Sequence, residues 1–202
     1  AMEALARWQH STLGLLGPDR FIPVAEQNGT IVALGDRILE LALQNCTYWR
    51  ENGHPRLTVS VNISVRQLKD RQFVDRVAQK LELYGLPAAA LCCELTESLL
   101  MEHSNDTTEQ IYRLKELGVL LSIDDFGTGY SSLAYLKRFA VDTLKIDISF
   151  VRDMLSDGND EAIVRTIIAM ARTRSPRLSK PAANPSGFSI RNPANSECNN
   201  GS

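Results

Sequence analysis

The sequence has little of what zinc proteins and disulfide-stabilised secreted domains need. Its 202 residues contain only three histidines and four cysteines, and none of them stands at the spacing of a zinc motif. Cys92 and Cys93 are neighbours on a predicted strand, where successive side chains point to opposite faces, so they are poor disulfide partners. We therefore expect reduced cysteines and a cytoplasmic protein.

An excess of charge of one sign and long apolar runs are absent as well. The chain has 22 Lys and Arg against 24 Asp and Glu, a net charge of -2, so it offers no basic field for a nucleic acid polymer. No apolar run approaches the length of a membrane segment, and no secretory signal opens the chain. The remaining composition, 44% hydrophobic and 23% charged, is typical of an enzyme-like domain with one sizeable core.

The most informative stretch runs from Ser122 to Ser132. An apolar strand over residues 119–123 is predicted to end in two adjacent carboxylates, Asp124 and Asp125, and a loop with two glycines follows. Twin acids at the C-terminal end of a strand suit cations that prefer oxygen ligands, such as Mg²⁺ or Mn²⁺. The glycines would let the next segment approach a ligand closely.

Other predicted strands also end in polar side chains. These residues are Glu3 and Arg7 on a strand over 2–8, Asn62 after 57–61, Glu94 and Glu97 at the end of the strand that begins at 91, and Lys145 and Asp147 after 143–144. In barrels of alternating strands and helices, such ends converge on one face and build the active site. Taken alone, each residue is more often a turn former or a solvated charge, but together they predict a catalytic rim.

The segments between these strands have helical periodicity. Helices are predicted over 36–49, 71–84, 106–117 and 160–170, with a single turn over 133–138. The alternation of strands and helices predicts an α/β fold with parallel strands and right-handed crossovers.

The order of the motifs resembles a known family. The motifs are Glu3-Ala4-Leu5, Arg7-Trp8, the segment 19–26, the segment 60–64, the segment 94–98, the loop from Asp124 to Tyr130, and Lys145-Ile146-Asp147. Over residues 2 to about 171 they resemble the EAL family of cyclic di-GMP phosphodiesterases. The resemblance implies a TIM-like (β/α)8 barrel and metal-assisted hydrolysis of cyclic di-GMP to the linear dinucleotide pGpG, and it makes a homodimer possible.

The resemblance also implies a role for each motif residue. Metal ligation falls to Glu3, Asn62, Glu94, Asp124 and Asp125, catalysis to Lys145, Asp125 and Asp147, phosphate binding to Arg7, and ordering of the loop after Asp125 to Glu97. The metal would be Mg²⁺ or Mn²⁺. With cations beside it, Lys145 is expected to shift towards its neutral form and to act on the attacking water as a base.

The sequence departs from the family pattern at both ends. Five of the eight barrel strands are recognisable, which predicts a truncated EAL domain over residues 1–171 as an open half-barrel. Residues 172–202 have too few large apolar side chains for a strand or a packed helix, and they are interpreted as a non-homologous, disordered tail. A further glutamate and a glutamine of the family have no counterpart there, so impaired hydrolysis is expected.

Two alternatives stay open from the residues alone. A degenerate domain could bind cyclic di-GMP without cleaving it, as the departures would favour. A different barrel enzyme could use Lys145 as a Schiff-base amine, although the surrounding carboxylates disfavour this reaction.

Overall fold

A computed structural model describes residues 1–101, 105–126, 139, 141–153, 161–162, 164–169 and 177–178. The glycine-containing loop after Phe126, the predicted turn over 133–138 and most of the predicted tail lie outside these residues.

In the part of the chain that the structure describes, six parallel strands form one sheet, and two further strands form an antiparallel hairpin. The sheet runs in the order β1 (Met2–Glu3), β4 (Val59–Asn62), β5 (Leu91–Thr96), β6 (Leu120–Phe126), β7 (Thr143–Ile146) and β8 (Arg177–Leu178). The hairpin pairs β2 (Trp8–His10) with β3 (Gly14–Leu16). All five predicted strands are present, and the prediction of a partial barrel of α/β class is confirmed.

Three strand predictions need correction. The strand predicted over 2–8 is only two residues long, because Trp8 instead pairs in the hairpin. Strand β6 does not end before its carboxylates: it continues to Phe126, since both neighbouring strands pair with this stretch. Strand β8 lies in the segment where no strand was predicted. Backbone pairing with β7 needs no large apolar side chain, which explains why the composition misled the prediction.

Helices fill the connections between the strands. They are α1 (Pro18–Asn28), α2 (Ile31–Glu51), α3 (Val65–Lys69), α4 (Phe73–Leu83), α5 (Glu97–Met101), α6 (Asn105–Leu117) and α7 (Ile148–Asp153), and residues 161–162 and 164–169 are also helical. The predictions over 36–49, 71–84 and 106–117 are confirmed as α2, α4 and α6, although α2 begins five residues earlier. Helix α1 was not predicted; Pro18 stands at its start and Gly29, with φ 82°, follows its end.

The core lies between the sheet and the helices that cover its outer face. Leu43 of α2 and Leu114 of α6 are fully buried, and Val61, Cys93 and Leu121 of the strands are almost completely buried. Side chains alternate along a strand, so residues 60, 62, 92, 94, 122 and 124 occupy the opposite face of the sheet. Packing of the core therefore fixes which carboxylates face the barrel interior.

Two further observations bear on the environment of the chain. Within the described residues, no helix is long and apolar enough to cross a membrane. Cys46, Cys92 and Cys93 are free and buried, and burial raises the pKa of Cys92 to about 11.

Candidate metal centre and active site

Three carboxylates from three strands meet at the C-terminal edge of the sheet. Glu3, Glu94 and Asp124, here called the acidic cluster, each offer an oxygen, and these oxygens lie within 4.8 Å of one another. The strands that carry them are parallel, so their C-terminal ends lie at the same edge. Carboxylate oxygens are the ligands that hard divalent cations prefer, so the donor set fits the metal that the family resemblance implies.

Lys145 of β7 lies among these carboxylates. Its ammonium nitrogen Nζ donates to Glu94 Oε2 at 2.5 Å and to Glu3 Oε2 and Asp124 Oδ2 at 3.3 Å each. Burial would lower the pKa of Lys145, but the hydrogen bond to Glu94 and the charges of the three acids outweigh burial and raise the pKa above its usual range. Held in this way, the amine is a poor Schiff-base nucleophile.

Glu94 is the most buried member of the acidic cluster, with 2% of its surface exposed. Burial raises the pKa of Glu94, and the hydrogen bond and charge of Lys145 only partly oppose that increase. A buried carboxylate needs a cationic partner, and Lys145 is that partner among the described residues.

Asn62 reaches the acidic cluster through Glu3. Its Nδ2 donates to Glu3 Oε1 at 3.1 Å, which places the amide at the edge of the cluster. Its carbonyl oxygen is the atom that could coordinate a metal.

Asp125 and Asp147 form a pair of acids beside the acidic cluster. Asp125 has φ 53°, which is unusual for a residue with a side chain. Burial raises the pKa of Asp125, and the neighbouring charges of Asp124 and Asp147 and a hydrogen bond to Asp147 raise it further. Hydrogen bonds from the hydroxyl and the backbone N–H of Ser149 lower the pKa of Asp147.

Arg7 and Glu97 lie around this centre in different settings. Arg7 donates from Nη1 to the carbonyl of Ala6 at 2.8 Å and lines a cavity of about 460 Å³ with Trp8 and Arg20. Glu97 is the first residue of α5, directly after β5, and is buried. The loop that Glu97 was predicted to order lies outside the described residues.

A second cavity of about 460 Å³ opens beside the acidic cluster. Asn62, Ser64 and Thr96 line one side, and Asp19 and Glu26 of α1 line the other. Its volume is typical of a small-molecule site, so a ligand bound there would extend from the strand ends towards α1.

Sequence reasoning missed two contributors to this site. Ser149 fixes Asp147, and the spacing Asp147-Ile-Ser149 is typical of a turn in which an aspartate accepts from the residue two positions later. Helix α1 supplies one wall of the second cavity, and Pro18 followed by Gly29 was the available signal for it.

Comparison with known proteins identifies the family. The family model described as "EAL domain" matches residues 1–178, seven residues beyond the predicted domain end. The chain is 50% identical over 171 residues to "Cyclic di-GMP phosphodiesterase NbdA" and 41% identical over 172 residues to "Bifunctional diguanylate cyclase/cyclic di-GMP phosphodiesterase MucR", both of Pseudomonas aeruginosa. Each match covers 85% of this chain but only 22% and 25% of the relatives, so the chain spans a quarter of their length or less.

Solved structures agree with this assignment. "PaMucR Phosphodiesterase, c-di-GMP complex" superposes with a TM-score of 0.84 at 38% identity and covers 91% of this chain and 74% of that one. "Structure of EAL Enzyme Bd1971 - cAMP and cyclic-di-GMP bound form" gives 0.81 at 33% identity, with 88% of this chain and 49% of that one covered. The order of the strands, the carboxylates at their ends and these likenesses together show that the chain belongs to the EAL domain family.

Proposed function

We propose that this chain is a phosphodiesterase domain that hydrolyses cyclic di-GMP to pGpG with Mg²⁺ or Mn²⁺. The observation that carries the proposal is the acidic cluster at the strand ends of an EAL-type half-barrel. The substrate follows from the relatives: NbdA is named for this activity, and the MucR structure is a c-di-GMP complex.

The cation would be held by Glu3, Glu94 and Asp124, with the carbonyl of Asn62 as a further ligand. Asp125 would help to hold a second cation, and Asp147 would support it. When bound, divalent cations polarise a phosphodiester and lower the pKa of a water ligand. The chain's own part is to fix these oxygens in place, and the buried β5 and β6 do so through paired backbones.

Lys145 would assist the attacking water. The carboxylates alone raise its pKa, so the amine is an ammonium donor in this arrangement. A role as general base depends on added positive charge nearby, because like charges favour the neutral form of an amine. We keep that role as a proposal.

The dinucleotide would bind along the cavity between the strand ends and α1. Asn62 lines this cavity and also donates to Glu3 at the edge of the acidic cluster. A ligand in the cavity would therefore lie next to the proposed reaction centre. Arg7 would contact a phosphate, as the family motif implies, and Glu97 would order the loop after Asp125.

The test is hydrolysis of cyclic di-GMP by the 202-residue chain with excess Mn²⁺, followed by chromatography of pGpG. We expect product from the parent chain and from Glu109→Gln, an exposed control in α6 that loses one carboxylate. We expect no product from Glu3→Gln or Asp124→Asn.

Each other result has a defined meaning. Equal turnover by the parent and by Glu3→Gln would contradict the proposed centre. Binding of cyclic di-GMP by calorimetry without turnover would support the alternative, a degenerate binding module. Trapping of a carbonyl ligand on Lys145 by borohydride would support a Schiff-base enzyme instead.

We also propose a cytoplasmic location, which three free, buried cysteines support. A homodimer is proposed from the family resemblance, and sedimentation of the purified chain would test it.

A further inference from the structure

Lys145 contacts all three carboxylates of the acidic cluster. Its ammonium is 2.5 Å from Glu94 Oε2 and 3.3 Å from oxygens of Glu3 and Asp124. The same three residues form the acidic cluster, in which three oxygens lie within 4.8 Å of one another. A group that bonds to all three acids from one nitrogen occupies the space between them.

A divalent cation needs this same space. Mg²⁺ binds oxygens at about 2.0–2.1 Å, which requires the carboxylates to converge on the metal. An ammonium that donates to all three of them competes for their lone pairs and repels a second positive charge. The ammonium and the cation therefore compete for the same oxygens of the acidic cluster.

We propose that Lys145 is an internal competitor that lowers the affinity of the acidic cluster for divalent cations and holds the three carboxylates together without them. This inference rests on the metal site of the proposed function. It assigns to Lys145 a role in setting metal affinity, separate from any contact with the attacking water.

The contacts also predict what removal of the ammonium does to the fold. Glu94 is 2% exposed, so its charge has no access to bulk water. Without Lys145, the metal-free chain would keep three converging acids with no counter-charge from β7. The stability of such a variant should depend more strongly on Mn²⁺ than that of the parent chain.

A purely structural role for Lys145 makes the opposite prediction. If the ammonium only positioned the carboxylates, its loss would let them separate, and metal affinity would fall. The direction of the affinity change therefore separates competition from positioning, and activity is not needed as a readout.

The experiment measures Mn²⁺ binding by calorimetry for the 202-residue parent chain, Lys145→Met and Lys145→Arg. Methionine has similar length without the charge, and arginine keeps the charge. We expect Lys145→Met to bind Mn²⁺ on the order of tenfold tighter or more, with no tightening in Lys145→Arg. Thermal unfolding in EDTA and in saturating Mn²⁺ should show a larger metal-induced rise in Tm for Lys145→Met than for the parent.

The outcomes are distinct. If the parent binds Mn²⁺ and Lys145→Met binds it with equal or weaker affinity, the competition is overturned, but the proposed metal site stays intact. No binding by the parent overturns the metal site and the competition together. If Lys145→Met unfolds in EDTA, it is purified in Mn²⁺ and its affinity is measured by chelator competition, and Lys145→Gln serves as the second neutral variant.

Discussion

Two groups of charged side chains in this molecule differ in the balance of their charges. Between α2 and α4, a helix network joins Asp36 and Asp70 to Arg76 and Lys80 through contacts of 2.8–3.3 Å. Two acids there face two bases. At the strand ends, the three acids of the acidic cluster face one base among the described residues, Lys145.

This difference in charge balance distinguishes a group that stabilises the fold from a group that is suited to bind a cation. A balanced network satisfies its own charges and ties two helices together, whereas an excess of partly buried acids costs stability unless a cation joins them. Salt bridges of similar length therefore contribute differently in the two places, and the excess of acids over bases supports the proposed site at the strand ends.

The largest expected effect is the difference in Mn²⁺ affinity between two variants. One neutralises an acid of the acidic cluster, and the other neutralises an acid of the helix network. Glu94→Gln should weaken Mn²⁺ binding by about a hundredfold or more, because it would remove a proposed direct ligand and even indirect partners contribute tenfold to a hundredfold. The matched change in the helix network, Asp36→Asn, should leave Mn²⁺ affinity unchanged. Calorimetric titration of both variants measures this contrast, and equal losses of affinity would remove the distinction between the groups.

Removing one base from the helix network should lower the free energy of unfolding without changing the rate of hydrolysis. Arg76→Met leaves Asp36 with Lys80 alone and removes the ion pair of Asp70, so we expect the free energy of unfolding to fall by about 1 kcal/mol. Hydrolysis of cyclic di-GMP should not change. Urea denaturation measures the first quantity and pGpG formation the second.

The control is Arg71→Met, which breaks the ion pair between Arg71, in the turn before α4, and Asp106 of α6. The Arg71 side chain is 80% exposed, so its loss should change stability by only a few tenths of a kcal/mol. If both arginine variants behave alike, burial does not determine the strength of these pairs.

The smallest expected effect concerns Ser149, whose hydroxyl donates to Asp147 beside the acidic cluster. Ser149→Ala removes the hydroxyl that donates to Asp147 but keeps the backbone donor. The pKa of Asp147 should then rise, and turnover should fall by about threefold to tenfold, as expected for one hydrogen bond. Carbon NMR titration and steady-state kinetics measure the two effects, and Ser149→Thr should restore both.

Much of the fold follows from local signals in the sequence. Apolar periodicity predicted α2, α4 and α6, and the apolar runs before Asn62, Glu94 and Lys145 predicted three strands. The end of β6 was harder to predict because tertiary pairing decides it. Strand β6 extends through Asp124 and Asp125 because neighbouring backbones pair with it, and no local propensity reports this.

The candidate site followed from strand ends and from family motifs, but its charge state did not. Sequence order predicted that Glu3, Glu94 and Asp124 would meet, and they do. The threefold contact of Lys145 depends on the register of β7 beside β6. Register is a property of the assembled sheet, so the elevated pKa of Lys145 could not be read from its motif.

The backbone of Asp125 has a practical consequence for engineering this domain. At φ 53°, Asp125 adopts a left-handed conformation that has a steric cost for residues with a Cβ, smaller for aspartate than for most, whereas glycine adopts this conformation freely. A thermostability screen would therefore enrich Asp125→Gly and discard a carboxylate that faces Asp147. Any library selected only for heat resistance should hold this codon fixed, because glycine would remove a carboxylate of the proposed second cation site.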